Sequence, residues 1–354
     1  MNFILAESKQ KKVIYLLGLL LSFFLFFLSL ELIKYFFSGA EIAFLRLLDD
    51  NVSEVNAFGI GWLLTLILQS SGATTSALAA INSAGIIEQT LLVFMVIGTR
   101  IGTTITFFLV ALFISAKERD FRHGFEIGLA NIVYALPIAV LMFFMEYLFS
   151  FFSNIGNYFI SIQIPFEFIS IDSITLPLIK LLDIIVPPYL FPFLGIVFLI
   201  FSLKKMPYFI VKFCGETYLR KSINKYMGDN YFSFLTGLII ALILTSTSVT
   251  LALLIPLIVV RLINLKKAIP YLIGTNLGGV MDAVIGGLVI GKTAIPAVFT
   301  YVSFSIIGLF WFFNTDLLFS ATKFLSKKIL HISKKRAILF VLLFSLVAFI
   351  LSLI

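Results

Sequence analysis

The stretch GWLLTLILQSSGATTSAL, residues 61–78, returns later in the chain as GLIIALILTSTSVTLALL, residues 237–254. The two stretches align without a gap at an offset of 176 residues, and the same offset places GTRIG at 98–102 on GTNLG at 274–278. In both copies, hydroxyl-rich residues and paired glycines interrupt strongly apolar sequence. Polar breaks placed symmetrically in membrane helices are typical of transporters that bind a polar solute halfway across the bilayer.

The composition is that of a membrane protein, because 60% of the residues are hydrophobic and the mean hydropathy is +1.11. The single cysteine excludes a disulfide framework, and with two histidines we expect no metal site and no cofactor. A bilayer core of about 30 Å needs roughly 20 helical residues, which predicts an all-α polytopic protein with about seven full spans. The apolar runs lie at 13–37, 90–115, 125–152, 174–203, 268–290, 294–313 and 337–354.

Two further apolar stretches, 58–84 and 232–260, contain the repeated motif and could either cross the membrane or fold back within it. Basic residues concentrate on the cytoplasmic side of membrane proteins. If both stretches are re-entrant hairpins and the N-terminus is cytoplasmic, the basic cluster at 204–225 lies inside and the segment 153–173, which has no Lys or Arg, lies outside. Two full spans would reverse both placements. The sequence therefore predicts two inverted-topology repeats whose hairpins open to opposite sides.

This interpretation divides the chain into six parts, and the second repeat is upside down relative to the first. No soluble domain is expected after the last helix. The parts are a cytoplasmic segment 1–12; repeat 1 at 13–152, with hairpin 58–84 and broken helix 90–115; an extracytoplasmic loop 153–173; repeat 2 at 174–313, with hairpin 232–260 and broken helix 268–290; a cytoplasmic basic loop 314–336; and an extra transmembrane helix 337–354.

The hydroxyl clusters stand where each hairpin must turn. Side-chain oxygens there can cap the free N–H groups of the next half-helix, and the positive end of that helix suits an anion such as phosphate. The paired glycines permit backbone unwinding, and the carbonyl, Thr and Asn oxygens exposed there suit Na⁺. The alternative is that the hydroxyls bond to carbonyls of their own helix and the glycines mark close packing. Recurrence of two different motifs at one offset favours the functional interpretation.

The motifs also resemble a known family. Gly61, Thr65 and QSSGATT at 69–75, followed by GTRIGTT at 98–104, resemble the sodium/phosphate cotransporters, in which a Gln-Ser-Ser-Ser hairpin motif precedes a Gly-x-Asn-Ile-Gly-Thr-Thr segment in both halves. The resemblance covers residues 58–115 and 232–290. It implies Na⁺-driven phosphate symport by alternating access, with Na⁺ as the coupling ion, in a multi-pass protein of the cell membrane. Many bacterial relatives also carry a C-terminal domain like the phosphate-uptake regulator, which we do not expect here.

The resemblance and the chemistry of the motifs together give two sets of candidate residues. The candidates for binding phosphate or a related oxyanion are Gln69, Ser70, Ser71, Thr74, Arg100, Ser246, Thr247, Ser248 and Asn276. The candidates for binding Na⁺ are Thr99, Thr103, Thr104, Thr250, Thr275 and Asp282. The expected partners are therefore the anion, Na⁺ and the lipid bilayer, and nucleic acid is not expected.

Several positions depart from the family pattern, and they leave the number of ions and the substrate open. They are Gly72 in place of the third Ser, Thr245 in place of Gln, Thr247 in place of Ser, Arg100 in place of Asn, and Gly279 and Val280 in place of the Thr-Thr pair.

Arg100 is the departure with the largest physical effect. A charge at mid-membrane costs about 2.5–3.5 kcal/mol on insertion scales, so the side chain must face a partner or a cavity. A guanidinium can bind phosphate through two parallel hydrogen bonds. It can also form a buried ion pair with Asp282, which corresponds to Thr106 of the first half. Without such a pair, Arg100 is expected to occupy the space, or supply the charge, of one Na⁺. An ion pair with Asp282 would instead neutralise the guanidinium and leave no spare charge for phosphate.

Other classes of function fit less well. An intramembrane enzyme needs an activated nucleophile or a metal cluster, and the predicted spans contain neither His nor Cys, so we do not expect an enzyme. A channel, a carrier of another oxyanion and a membrane scaffold without transport activity remain alternatives.

Overall fold

The computed structural model describes residues 11–22, 52–83, 87–114, 118–161, 181–183, 185–187, 190–214, 227–330 and 334–354, and single positions 24, 25, 28, 32 and 85. In these residues the regular structure is helical and contains no strand, which confirms the all-α prediction for the described part. The helices are α1 (11–22), α2 (Glu54–Leu68), α3 (Ser71–Ser83), α4 (Gln89–Gly102), α5 (Thr104–Ile114), α6 (Glu118–Phe149), α7 (Phe151–Ser161), α8 (Phe191–Cys214), α9 (Asn230–Leu244), α10 (Thr247–Val259), α11 (Leu265–Gly278), α12 (Met281–Ile290), α13 (Ile295–Ile307), α14 (Phe310–Phe313), α15 (Thr315–Leu330) and α16 (Lys334–Leu351).

Four stretches of helix in the described residues are long and apolar enough to cross a membrane. They are Gln89–Ile114, Phe121–Phe149, Leu265–Gly287 and Lys292–Phe313, and they match four of the predicted runs. The predicted segment 1–12 and the predicted runs 13–37 and 174–203 fall wholly or partly outside the described residues. The run 337–354 corresponds to α16.

The sequence repeat is also a repeat of local structure. The helices α2, α3 and α4 begin and end at the positions that correspond, at the offset of 176 residues, to the ends of α9, α10 and α11. Each first helix stops because its next residue is left-handed: Gln69 has φ 55° and Thr245 has φ 47°. Each following helix then starts with a hydroxyl cap, since Ser70 accepts from the Ala73 amide at 3.4 Å and Ser246 from the Val249 amide at 3.3 Å.

Six glycines bring the main chains of paired helices into contact. A Cβ atom at any of them would lie closer than 3.0 Å to a carbonyl oxygen of the partner helix, nearer than real Cβ atoms come. The contacts correspond one to one in the two halves, and each pairs a glycine with a carbonyl. In α2 and α4 they are Gly61 with Met95, Gly98 with Phe58 and Gly102 with Trp62; in α9 and α11 they are Gly237 with Tyr271, Gly274 with Phe234 and Gly278 with Leu238.

These contacts correct the role expected for the paired glycines. The glycines lie against a neighbouring helix, as the packing alternative predicted. The helix break that follows them is small, because Thr103 between α4 and α5 keeps right-handed helical angles, with φ −53° and ψ −26°. In the second half, the break lies at Gly279 and Val280.

The two halves also contact each other in a reciprocal way. Helix α3 of the first half packs against α12 of the second, and the corresponding α10 packs against α5 of the first. The helices that follow the repeated motifs are therefore each covered by the other half of the chain. Helix α16 packs against α2, where Gly59 lies against the main chain of Leu351.

Two predicted loops contain helices. In the predicted basic loop 314–336, Leu318, Thr322 and Ser326 are fully buried at a spacing of four residues, which is one face of a helix that packs on α6. The Lys323 ammonium and the Ser326 hydroxyl of this helix both donate to the buried carboxylate of Glu126, the ammonium at 2.8 Å to each oxygen. The lysines of this segment led to the prediction of a loop, and its buried face was not predicted.

In the predicted extracytoplasmic loop 153–173, the first residues form α7. The carboxylate of Glu146 accepts from the backbone amides of Phe152 at 2.8 Å and Ser153 at 3.3 Å, and also from the Ser153 hydroxyl. A carboxylate at the first turn of a helix satisfies amides that have no partner within the helix. Residues 162–173 lie outside the described residues.

The glycine contacts predict a matched pair of stability effects. Gly98→Ala and Gly274→Ala should each lower the thermal unfolding temperature of the purified protein, since overpacking costs about 1–3 kcal/mol. Ile243→Ala is the control, because this side chain of α9 is 74% exposed. Unfolding temperatures of both glycine variants equal to that of the control would contradict close main-chain packing.

Candidate functional site

The centre of the described structure is a buried polar network around Arg100. Its guanidinium Nη2 donates to the Ser305 hydroxyl at 2.9 Å, to the Asn276 amide oxygen at 3.2 Å and to the Asn276 main-chain oxygen at 3.5 Å. The Arg100 side chain is only 4% exposed. Asn276 stands 176 residues further on, so the network joins the corresponding positions of the two halves.

Further side chains extend this network. Asn276 Nδ2 donates to Asn131 Oδ1 at 3.3 Å, and Asn131 Nδ2 donates to Thr104 Oγ1 at 2.9 Å. Ser305 donates to the Asn276 main-chain oxygen at 2.7 Å. All these residues are buried, and the hydrogen bonds among them favour one arrangement of the helices that carry them.

Two aromatic rings also lie close to the Arg100 guanidinium. The guanidinium carbon lies 4.4 Å from the centre of the Tyr301 ring and 5.0 Å from that of Phe304. Aromatic faces attract a cation that has lost its water. The charge is thus held by oxygen atoms and ring faces.

At the first motif, the start of α3 lies against two groups of the second half. The Ser71 hydroxyl is hydrogen-bonded to the Tyr301 hydroxyl at 2.7 Å. A Cβ atom at Gly72 would overlap the carboxylate of Asp282, so this carboxylate fills the space that a side chain at residue 72 would take. A negative group is favourable beside the positive end of a helix. The anion position predicted at this helix end therefore has a carboxylate of the protein next to it.

At the second motif, the start of α10 contacts the residue that follows α2. The Ser248 hydroxyl donates to the Gln69 main-chain oxygen at 2.9 Å, and the Thr106 hydroxyl reaches the same oxygen at 3.4 Å. Thr247 is 4% exposed, and its hydroxyl has no hydrogen-bond partner among the described residues. The start of α10 therefore carries a buried hydroxyl without a described partner, whereas the Ser71 hydroxyl at the start of α3 is bonded to Tyr301.

The structure brings some of the predicted site residues together. Arg100 with Asn276, and Gln69 with Ser248, are in direct contact across the two halves. Other hydroxyls bond to main-chain oxygens of their own helix, as Ser and Thr commonly do in membranes. These are Thr74 to Ser70 at 2.8 Å, Thr99 to Val96 at 2.7 Å, Thr103 to Thr99 at 3.3 Å and Thr250 to Ser246 at 2.7 Å.

The sodium assignments stay predictions. Thr275 is fully buried, and its hydroxyl has no partner within the described part of the chain. Thr104 belongs to the Arg100 network through Asn131. Within the described residues, no group of three or more His, Cys, Asp or Glu side chains could hold a metal ion. Asp282 is the one carboxylate among the sodium candidates, and it lies against Gly72.

Sequence reasoning missed three residues of the network: Asn131, Tyr301 and Ser305. Asn131 is a polar residue within an apolar run, which is a usable signal for an intramembrane partner. Tyr301 and Ser305 have no such signal, since both residue types are common in membrane helices and their contacts come from distant parts of the chain. Ser305 lies 205 residues from Arg100.

Comparison with known proteins gives one family. The sequence profile of the Na⁺/Pi-cotransporter family matches residues 38–172 and 198–348. The sodium-dependent phosphate transport protein 2A of Rattus norvegicus is 31% identical over 122 residues, which are 33% of this chain and 19% of the relative. The protein of the same name in Ovis aries is 32% identical over 112 residues, 30% of this chain and 18% of the relative. The matched region thus spans less than a fifth of these relatives. No solved structure matches the chain significantly.

The contact between Gly72 and Asp282 predicts a rescue. Gly72→Ser alone should lower the unfolding temperature, because its Cβ atom overlaps the carboxylate, although Ser is otherwise well suited to a helix start. Asp282→Ala removes the overlapping atoms, so the double variant should recover the unfolding temperature of Asp282→Ala alone. An equal loss on adding Gly72→Ser in the presence and absence of Asp282 would contradict this steric relation.

Proposed function

The chain belongs to the Na⁺/Pi-cotransporter family, and from this we propose that it carries inorganic phosphate across a cell membrane by symport with Na⁺. The family consists of transporters rather than enzymes, and the apolar helices agree with a membrane protein. The observation that carries the proposal is the contact between Ser248 and Gln69, which joins the two repeated motifs in the buried centre. Phosphate binds beside this contact.

The start of α10 is the side on which phosphate binds. Its first residue, Thr247, offers a buried hydroxyl, and the amides at a helix start attract phosphate oxygens. At the corresponding start of α3, the Asp282 carboxylate repels a second anion. Na⁺ binds to nearby oxygens of the two halves, including those of Thr275 and Thr99, and its charge lowers the cost of holding phosphate in the membrane.

Transport follows from two hairpins of opposite orientation, α2–α3 and α9–α10, in a protein whose N-terminus is cytoplasmic. Each hairpin reaches about the middle of the bilayer, since 13–15 helical residues rise roughly 20 Å. The site between them is open to one side of the membrane at a time. The reciprocal packing of α3 on α12 and α10 on α5 supports this inverted arrangement, because each hairpin is covered by the other half.

The direct test is uptake of radiolabelled phosphate into proteoliposomes. A NaCl gradient should drive a saturable uptake that an equal gradient of choline chloride does not. Uptake that rises linearly with phosphate concentration would identify a channel, and competition by another oxyanion with higher affinity would identify a different substrate. Equal uptake in the two gradients would reject Na⁺ coupling.

Thr247→Val should weaken apparent phosphate affinity in this assay. It removes one hydroxyl with little change in shape, and a hydrogen bond to a charged group is worth about 1.5–3 kcal/mol, so the affinity should fall roughly tenfold to a hundredfold. Thr236→Val is the matched control in the same helix pair, since the Thr236 hydroxyl bonds to the Phe232 oxygen of its own helix at 2.7 Å. The same phosphate affinity in both variants would remove Thr247 from the site.

The inverted orientation predicts opposite labelling at two exposed positions. After replacement of the native Cys214 by Ser, Glu88→Cys should react with a membrane-impermeant maleimide from outside. Lys266→Cys should react only after the membrane is permeabilised. Labelling of both from one side would contradict hairpins that open to opposite sides.

A further inference from the structure

The Arg100 guanidinium is surrounded by oxygen atoms of the kinds that bind cations. Its Nη2 approaches an amide oxygen and a main-chain oxygen of Asn276 and the hydroxyl of Ser305, all within 3.5 Å. Oxygens of these types are the ligands that hard metal cations take in proteins. The guanidinium therefore contacts a set of oxygens that, with a shorter side chain at residue 100, could surround a small ion.

The repeat gives an independent reason for this assignment. Arg100 and Asn276 are corresponding positions of the two halves, yet one carries a fixed positive charge and the other a neutral amide that faces it. Asn276 also donates to Asn131 and to the Leu272 oxygen, which fixes its amide with the oxygen toward Arg100. The asymmetry places one permanent cation at the junction of the halves.

The charge cannot leave this position. Arginine stays protonated at all physiological pH values, and its side chain is covalently tied to α4. The rings of Tyr301 and Phe304 at 4.4 and 5.0 Å stabilise the desolvated guanidinium in the place where an ion would otherwise need to bind and dissociate in each cycle.

We propose that Arg100 is a tethered cation that replaces one coupling Na⁺, so that transport needs one Na⁺ fewer than a site with Asn at both positions. The inference rests on the proposed Na⁺-coupled transport and adds its ion requirement. Because the cation returns with the protein, its charge is present at the site whether or not Na⁺ is bound.

Two measurements on Arg100→Asn and Arg100→Gln test the inference. The first is the unfolding temperature of the purified protein in NaCl against choline chloride at equal ionic strength, without phosphate. Each variant should gain a stabilisation by Na⁺ of at least about 2 °C beyond that of the wild type, since an ion that binds the folded state stabilises it. The second is phosphate uptake against Na⁺ concentration, in which the Hill coefficient should rise in both variants because a further ion site has been created.

Arg100→Lys keeps the charge and should retain the wild-type response to Na⁺ in both measurements. Arg336→Asn is the matched control for the substitution itself, since Arg336 is exposed and lies outside the network. A response to Na⁺ that is the same in wild type, Arg100→Asn and Arg100→Gln would overturn the inference. So would a gain in Arg100→Lys equal to that of Arg100→Asn.

The two proposals fail separately. If the wild type takes up no phosphate in a Na⁺ gradient, the transport proposal fails, and the unfolding measurement still decides whether Arg100 fills a cation position. If Arg100→Asn cannot be purified without Na⁺, the yield of this variant in NaCl compared with choline chloride measures its stabilisation by Na⁺. Recovery in NaCl alone supports the inference, and equal loss in both salts contradicts it.

Discussion

The structure depends on the contact of main chain with main chain between α2 and α4, and between α9 and α11. Three glycines in each half of the chain let carbonyl groups of one helix lie against the backbone of the other. In a lipid environment, burial of apolar side chains gives little net attraction between helices, so close van der Waals packing must hold them. These contacts hold α4 and α11, the helices that carry Arg100 and Asn276, against α2 and α9.

The two halves share this helix packing but carry different side chains at their motifs. The first motif has Gly72 and a neighbouring carboxylate from Asp282, whereas the second has Thr247 with a buried free hydroxyl among the described residues. The corresponding positions 100 and 276 hold a cation and an amide. The two helix starts, each preceded by a left-handed residue, therefore differ in neighbouring charge and in hydrogen bonding.

The features that could be predicted from the sequence are those with local causes. The left-handed residues Gln69 and Thr245 and the hydroxyl caps that follow them act within a few residues, so the two interrupted helices stood out from the repeat alone. The direction in which the glycines face was not predictable, since it depends on the neighbouring helix. The partners of buried charges could not be predicted from the sequence either. Glu126 and Lys323, for example, lie 197 residues apart, and only the folded chain brings them together.

The packing of α16 on α2 has a consequence for biosynthesis. Asn56 in α2 donates to the Leu351 main-chain oxygen, a partner 295 residues further along the chain at 3.4 Å. At a translation rate of about 5–20 residues per second, α2 enters the membrane roughly 15–60 s before that partner is made. During this interval the face of α2 that α16 later covers is open to lipid or to the insertion machinery. The packing of α2 is thus completed only after the chain has been extended by a further 295 residues.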